Sequence, residues 1–138
     1  MENSNELYRT LMEAAARARE FAYAPYSNYC VGAALLAEDG RIFTGCNVEN
    51  AGFSATNCAE RTAIFKAVSE GAQRFLAIAV VGGKRGEVSP LCPPCGVCRQ
   101  VLAEVCPPDL TVLLGTPEKP NVYSLGELLP LSFTGEEL

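Results

Sequence analysis

Histidine and tryptophan are absent from the 138 residues, and methionine occurs only twice. Without histidine the chain has neither the commonest general base nor the commonest transition-metal ligand. A proton carrier must then be Glu or Asp, and a transition-metal site must lean on cysteine thiolates. Positive charge is also short. Eleven Lys and Arg stand against 16 Asp and Glu, for a net charge of −5, and the basic residues form no stripe. Nucleic-acid affinity rests mostly on neutralising phosphates, so no nucleic-acid partner is expected. No apolar run approaches the ~20 residues of a membrane span, so no membrane partner is expected either. The opening Met1-Glu2-Asn3-Ser4-Asn5-Glu6 is polar and acidic, unlike a secretory or transit segment, and a cytoplasmic location is the expectation. With 20% charged and 49% hydrophobic residues the composition excludes intrinsic disorder. The length predicts one domain over residues 1–138 with a sizeable core.

Cysteine is abundant instead, at seven residues. An odd count in a reducing compartment argues against a disulfide framework. The question becomes which thiols hold something.

Periodicity places the cysteines on elements. Leu7, Leu11, Ala14, Ala15, Ala18 and Phe21 recur at helical spacing from about Asn5 to Phe21, with Asn3 or Ser4 as cap and Pro25 as terminator. Cys30–Ala37 and Ile42–Val48 read as a hairpin about the Asp39-Gly40 turn. Cys58–Glu70 reads as a helix stopped by Gly71. Leu76–Val81 is a buried strand, and Gly82–Pro94 a loop rich in Gly and Pro. A helix starts near Cys95 and ends before Pro107-Pro108. Leu110–Gly115 and Asn121–Tyr123 read as strands, and Ser124 with Glu127 as a capping box opening a final short helix. Strands interspersed with helices predict an α/β fold, a three-layer α/β/α sandwich with a central mixed five-stranded sheet.

Both central helices begin at cysteine, one as Cys58-Ala59-Glu60-Arg61 and the other as Pro94-Cys95-Gly96-Val97-Cys98-Arg99. A helix N-terminus favours thiolate. The Cys95-x-x-Cys98 spacing lets two sulfurs reach one ion, and Cys58 supplies a third if the two N-termini meet over the sheet. Three thiolates on Zn²⁺ leave one tetrahedral position open, which separates a catalytic from a structural site. Glu60 can face that position only if Cys58 sits at the very start of its helix. A carboxylate there is a proton shuttle. Hydrogen bonds from Arg61 to the sulfurs would offset the excess negative charge.

These two segments resemble the zinc signature of the cytidine deaminases, in their small homotetrameric, three-cysteine form. The resemblance extends through Tyr26-Ser27, Val31-Gly32-Ala33-Ala34, Gly45-Cys46-Asn47-Val48-Glu49-Asn50-Ala51, the run from Cys58 to Gly71, and Glu127-Leu128-Leu129-Pro130 with Phe133. It covers roughly Leu7 to Phe133. It implies one Zn²⁺ per subunit held by Cys58, Cys95 and Cys98, with Glu60 as the catalytic proton carrier. It implies hydrolytic deamination of cytidine and 2′-deoxycytidine to the uridine forms, with release of ammonia. Asn47 and Glu49 correspond to the pair on the ribose 3′-hydroxyl. Tyr29 stands where the family usually has a base-stacking Phe, and Phe53 where it often has Tyr. The resemblance further implies that backbone groups of Ala59 and Cys95 orient the base, and that Phe133 reaches a neighbouring subunit's site in a homotetramer with shared sites.

Other readings stay open on the residues alone. Cys92, in an apparent Leu91-Cys92-Pro93 insertion, can close a four-thiolate structural zinc site with no hydrolytic role. A redox Cys-x-x-Cys leaves Glu60 unexplained. A same-fold deaminase of another small aminopyrimidine nucleoside, and a non-catalytic zinc-stabilised module, are the functional alternatives. Cys30, Cys46 and Cys106 read as small buried hydrophobes.

Overall fold

The computed structural model describes residues 2–138, with side chains described from residue 4 onward. In chain order the elements are α1 (Glu2–Arg19), β1 (Tyr29–Ala37), β2 (Ile42–Cys46), α2 (Ala59–Ser69), β3 (Phe75–Lys84), α3 (Gly96–Val105), β4 (Thr111–Thr116), β5 (Lys119–Ser124) and α4 (Leu125–Leu128). The five strands form one sheet in the order β2-β1-β3-β4-β5. Only β3 and β4 pair in parallel; the other neighbours are antiparallel. The expected mixed five-stranded sheet is therefore present.

Alternation along the strands builds a core on each face. Ala33, Leu35, Ile78, Val80, Val112 and Leu114 pack with Ala59, Ala63, Ile64 and Leu102 of α2 and α3. Ala34, Leu36, Ala77, Ala79, Val81 and Leu113 point the other way, onto Leu11, Met12 and Ala15 of α1. Both faces of the central strands are thus covered, which explains their continuous apolar runs. Each fully buried Leu, Ile or Val contributes about 1.5–3 kcal/mol relative to exposure.

Two glycines set the distances between layers. A Cβ on Gly32 would lie 2.0 Å from the Ala15 carbonyl oxygen of α1, and one on Gly45 would lie 2.6 Å from the Ala59 carbonyl oxygen of α2. A side chain at either place would push a helix off the sheet. Gly45 thereby holds the first turn of α2, which carries the candidate chemistry, against β2.

Four expectations need correction. Residues 3 and 4 lie inside α1 rather than capping it, because the helix already runs from Glu2. The helix ends at Arg19, where i→i+3 bonds from Glu20, Phe21 and Ala22 replace helical ones, and Phe21 is left 81% exposed. The inward stripe continues to Arg19 instead. Strand β3 runs on through Gly82-Gly83-Lys84, which pair with Val31, Cys30 and Tyr29, so the predicted loop begins three residues late. Finally, β5 spans Lys119–Ser124 and includes Pro120, which an edge strand tolerates. The Ser124–Glu127 capping box is present as expected.

Candidate active site

The N-termini of α2 and α3 meet at the end of the sheet. Their N-cap residues are Cys58 and Cys95, both in extended backbone conformation, and neither side chain caps its own helix. The sulfurs are therefore free to point outward. Cys98, one turn into α3, is fully buried beneath them. The three Sγ atoms lie within 4.8 Å of one another, and Cys58 and Cys95 are 3.8 Å apart. That is the edge of a tetrahedron built on Zn–S bonds of about 2.3 Å.

Charge supports the same assignment. Arg61 donates from Nη2 to Cys58 Sγ at 3.2 Å, and its Nε is buried without a partner. Hydrogen bonds from Cys98, Arg61 and Cys95 bring the Cys58 thiol down to about 5. The Cys98 thiol moves the other way, raised first by its bond to Cys58 and then by burial. One guanidinium cannot hold several adjacent thiolates. A divalent cation at this place can, and a soft, all-sulfur donor set suits Zn²⁺.

Glu60 lies beside the sulfurs. Its side chain is buried, and desolvation, reinforced by the Cys58 charge, raises the carboxyl to about 7. It faces a cavity of about 280 Å³ also lined by Ser27, Tyr29, Asn47, Glu49, Ala59, Cys92 and Cys95. That volume is close to the lower end for small-molecule sites, roughly 300 Å³.

The structure thus gathers Cys58, Cys95, Glu60, Ala59, Tyr29, Asn47 and Glu49 around one cavity, with Cys98 in the sulfur cluster and Arg61 bonded to Cys58. It does not bring Phe53 or Phe133 there. Phe53 is 80% exposed in a short 3₁₀ turn, and Phe133 is 59% exposed, with its carbonyl accepting from Gln100 Nε2. Cys92 is buried against the cavity wall but stands outside the three-sulfur cluster. Among the described residues no fourth protein sulfur joins the group, which favours the three-thiolate reading over the four-thiolate one.

Asn47 and Glu49 lie beyond the end of β2, not within a strand. Asn47 is clamped to β1, with Oδ1 accepting from the Val31 N–H at 2.9 Å and Nδ2 donating to the Tyr29 carbonyl at 2.8 Å. Sequence reasoning missed Arg19, a buried arginine that donates to the carbonyls of Cys30, Gly83, Lys84 and Glu87. These bonds tie the cavity-side ends of β1 and β3 together. An arginine in the last turn of a helix gives no sequence signal of such a role.

A thiolate centre with room for one non-protein ligand, set beside a buried acid, defines a metal-dependent hydrolase of the α/β/α type. Residues 5–114 match the family described as cytidine and deoxycytidylate deaminase zinc-binding region. The chain belongs to that family. It is 51% identical over 129 residues to a cytidine deaminase of Halalkalibacterium halodurans, covering 93% of this chain and 95% of that one. It is 56% identical over 126 residues to a cytidine deaminase of Sporosarcina psychrophila, covering 88% of each. The crystal structure of cytidine deaminase from Burkholderia pseudomallei superimposes with a TM-score of 0.81 at 52% identity, covering 90% of this chain and 97% of that one.

Proposed function

We propose that this cavity binds cytidine and 2′-deoxycytidine and that Glu60 carries the protons of their hydrolytic deamination. The chain is a cytidine deaminase, a hydrolase dependent on Zn²⁺ held by Cys58, Cys95 and Cys98. The observation that carries the assignment of roles is the buried Glu60 carboxyl, facing a nucleoside-sized cavity beside three gathered sulfurs.

Held by these thiolates, Zn²⁺ would supply Lewis acidity that brings the pKa of water towards ~7. Glu60 takes one proton from the attacking water and delivers it to ring N3. The water oxygen adds to C4, and the ring loses its N3–C4 double bond. Glu60 then passes the second proton to the exocyclic amine, the C4–N bond breaks, and ammonia leaves the uracil product. A carboxyl near neutrality suits both halves of this traffic, since it must accept and release within one turnover. Arg61 keeps the sulfurs from neutralising the cation fully. Backbone groups of Ala59 and Cys95 orient the base, Tyr29 covers its face, and Asn47 with Glu49 meets the sugar.

Phe133, exposed and away from its own chain's cavity, suits a contact with a neighbouring protomer. A homotetramer with shared sites is the proposed assembly, and nucleoside salvage in the cytoplasm the proposed setting. Among the described residues, no helix is long and apolar enough to cross a membrane.

Ammonia release from cytidine, measured with and without a zinc chelator, tests the assignment. Chelator-sensitive release of one ammonia per uridine is expected. Zinc-loaded protein that releases none would overturn it.

A further inference from the structure

Ser27 lines the cavity, and the bonds of the segment Tyr26-Ser27 converge on Glu49. Glu49 Oε1 accepts from the N–H of Tyr26 at 2.9 Å and of Ser27 at 3.2 Å, while Oε2 accepts from the Ser27 hydroxyl. A carboxylate offers about four lone-pair directions, so three are filled from this one turn and one on Oε2 is left. The Ser27 hydroxyl has a single hydrogen, and it is committed to Glu49. Its oxygen in turn accepts from the Tyr29 N–H at 2.9 Å. One hydroxyl thus bridges the carboxylate and the backbone of the residue that walls the cavity.

The turn is built to hold this arrangement. Asn28 takes a left-handed conformation, φ 60°, which folds the chain back so that Ser27 Oγ reaches the N–H two residues on. Lys84 Nζ donates to the Ser27 carbonyl at 3.0 Å, and the Arg85 N–H donates to that of Asn28 at 2.9 Å. Ser27 and Glu49 both line the cavity.

We infer that Ser27 is a positioning residue for sugar recognition: its hydroxyl fixes Glu49 so that the one remaining acceptor meets the nucleoside 3′-hydroxyl. This rests on the reading of Glu49 given under the proposed function. The bond to Ser27 also lowers the Glu49 pKa, which keeps it an acceptor across the working pH range.

Steady-state kinetics of Ser27→Ala, Ser27→Thr and Glu49→Gln on zinc-loaded protein separate the possibilities, with cytidine, 2′-deoxycytidine and 2′,3′-dideoxycytidine as substrates. For Ser27→Ala, KM for the two 3′-hydroxyl substrates should rise about tenfold with kcat within twofold, as expected for a lost binding contact. KM for the dideoxynucleoside should move less than twofold. Ser27→Thr, which keeps the hydroxyl, should restore the parent pattern. Equal losses on all three substrates with Ser27→Ala, or no loss, would overturn the inference if Glu49→Gln selectively impairs the two 3′-hydroxyl substrates. If Glu49→Gln impairs all three substrates alike, or none, the Glu49 reading fails and this inference falls with it.

Discussion

The Arg61 guanidinium stands 3.2 Å from the Cys58 sulfur, three residues back on the same helix, and is held there with its Nε buried and unpartnered. A buried donor with no acceptor of its own costs free energy, of order 1–3 kcal/mol. That cost is tolerable where the cation offsets a cluster of thiolates. Replacing Arg61 by Ala should therefore lower zinc affinity or kcat by about 10–100-fold, the usual loss when a residue bonded to a metal ligand is removed. Zinc titration and turnover measured on the same preparation check this. Unchanged values for both would show that Arg61 is a bystander.

Cys92 lines the cavity, yet its sulfur lies outside the cluster of Cys58, Cys95 and Cys98. Elemental analysis of single Cys→Ala variants should show stoichiometric zinc in Cys92→Ala. Cys58→Ala, Cys95→Ala and Cys98→Ala should each lose most of it. Loss of zinc from Cys92→Ala would return it to the ligand set.

Gly32 lets α1 sit directly on β1. An added methyl there would lie 2.0 Å from the Ala15 carbonyl oxygen and 2.5 Å from the Arg19 nitrogen, both backbone atoms. Gly32→Ala should cost at least about 1–3 kcal/mol, lowering Tm by about 5 °C or more. Gly135→Ala, which meets nothing within 4 Å, should leave Tm unchanged. Differential scanning calorimetry of the two variants gives the comparison.

Burial pushes the Cys106 thiol up to about 12 from its ordinary value of 9.0. A folded pKa above the unfolded one means the contribution to stability is intact below pH ~9 and is lost as pH rises towards ~12. Over that window the parent should lose stability with a slope steeper than that of Cys106→Ala by up to about 1.4 kcal/mol per pH unit. Urea denaturation at pH 8, 9 and 10 measures it. Parallel slopes would refute the assignment.

Much of the site was legible because its residues cluster in two short segments at helix starts. Cys58 and Cys95 fall at N-caps as the pattern requires, and Glu60 follows from that geometry alone. The sheet was legible wherever alternation or a long apolar run dominated. It failed at Gly82-Gly83, where two glycines read as a loop but continue β3, since pairing with β1 rather than local preference decides. Arg19 was invisible because its acceptors are backbone carbonyls up to 68 residues away, and carbonyls carry no sequence signature. The Ser27–Glu49 bond joins residues 22 apart across a turn. Tyr26-Ser27 stood out only as part of a resemblance, with no physical role attached. Phe133 is exposed and away from its own chain's cavity, so the chain's own packing assigns it no role and only the resemblance singled it out.

The proposed reaction turns on Glu60 as the proton carrier beside a thiolate-held cation. Glu60→Gln preserves shape and burial while removing the titrating group. Zinc content and ammonia release, measured on one sample of this variant, test the claim most directly. Full zinc occupancy with turnover reduced by about 10³-fold or more is the predicted result. Full occupancy with turnover within tenfold of the parent would contradict it.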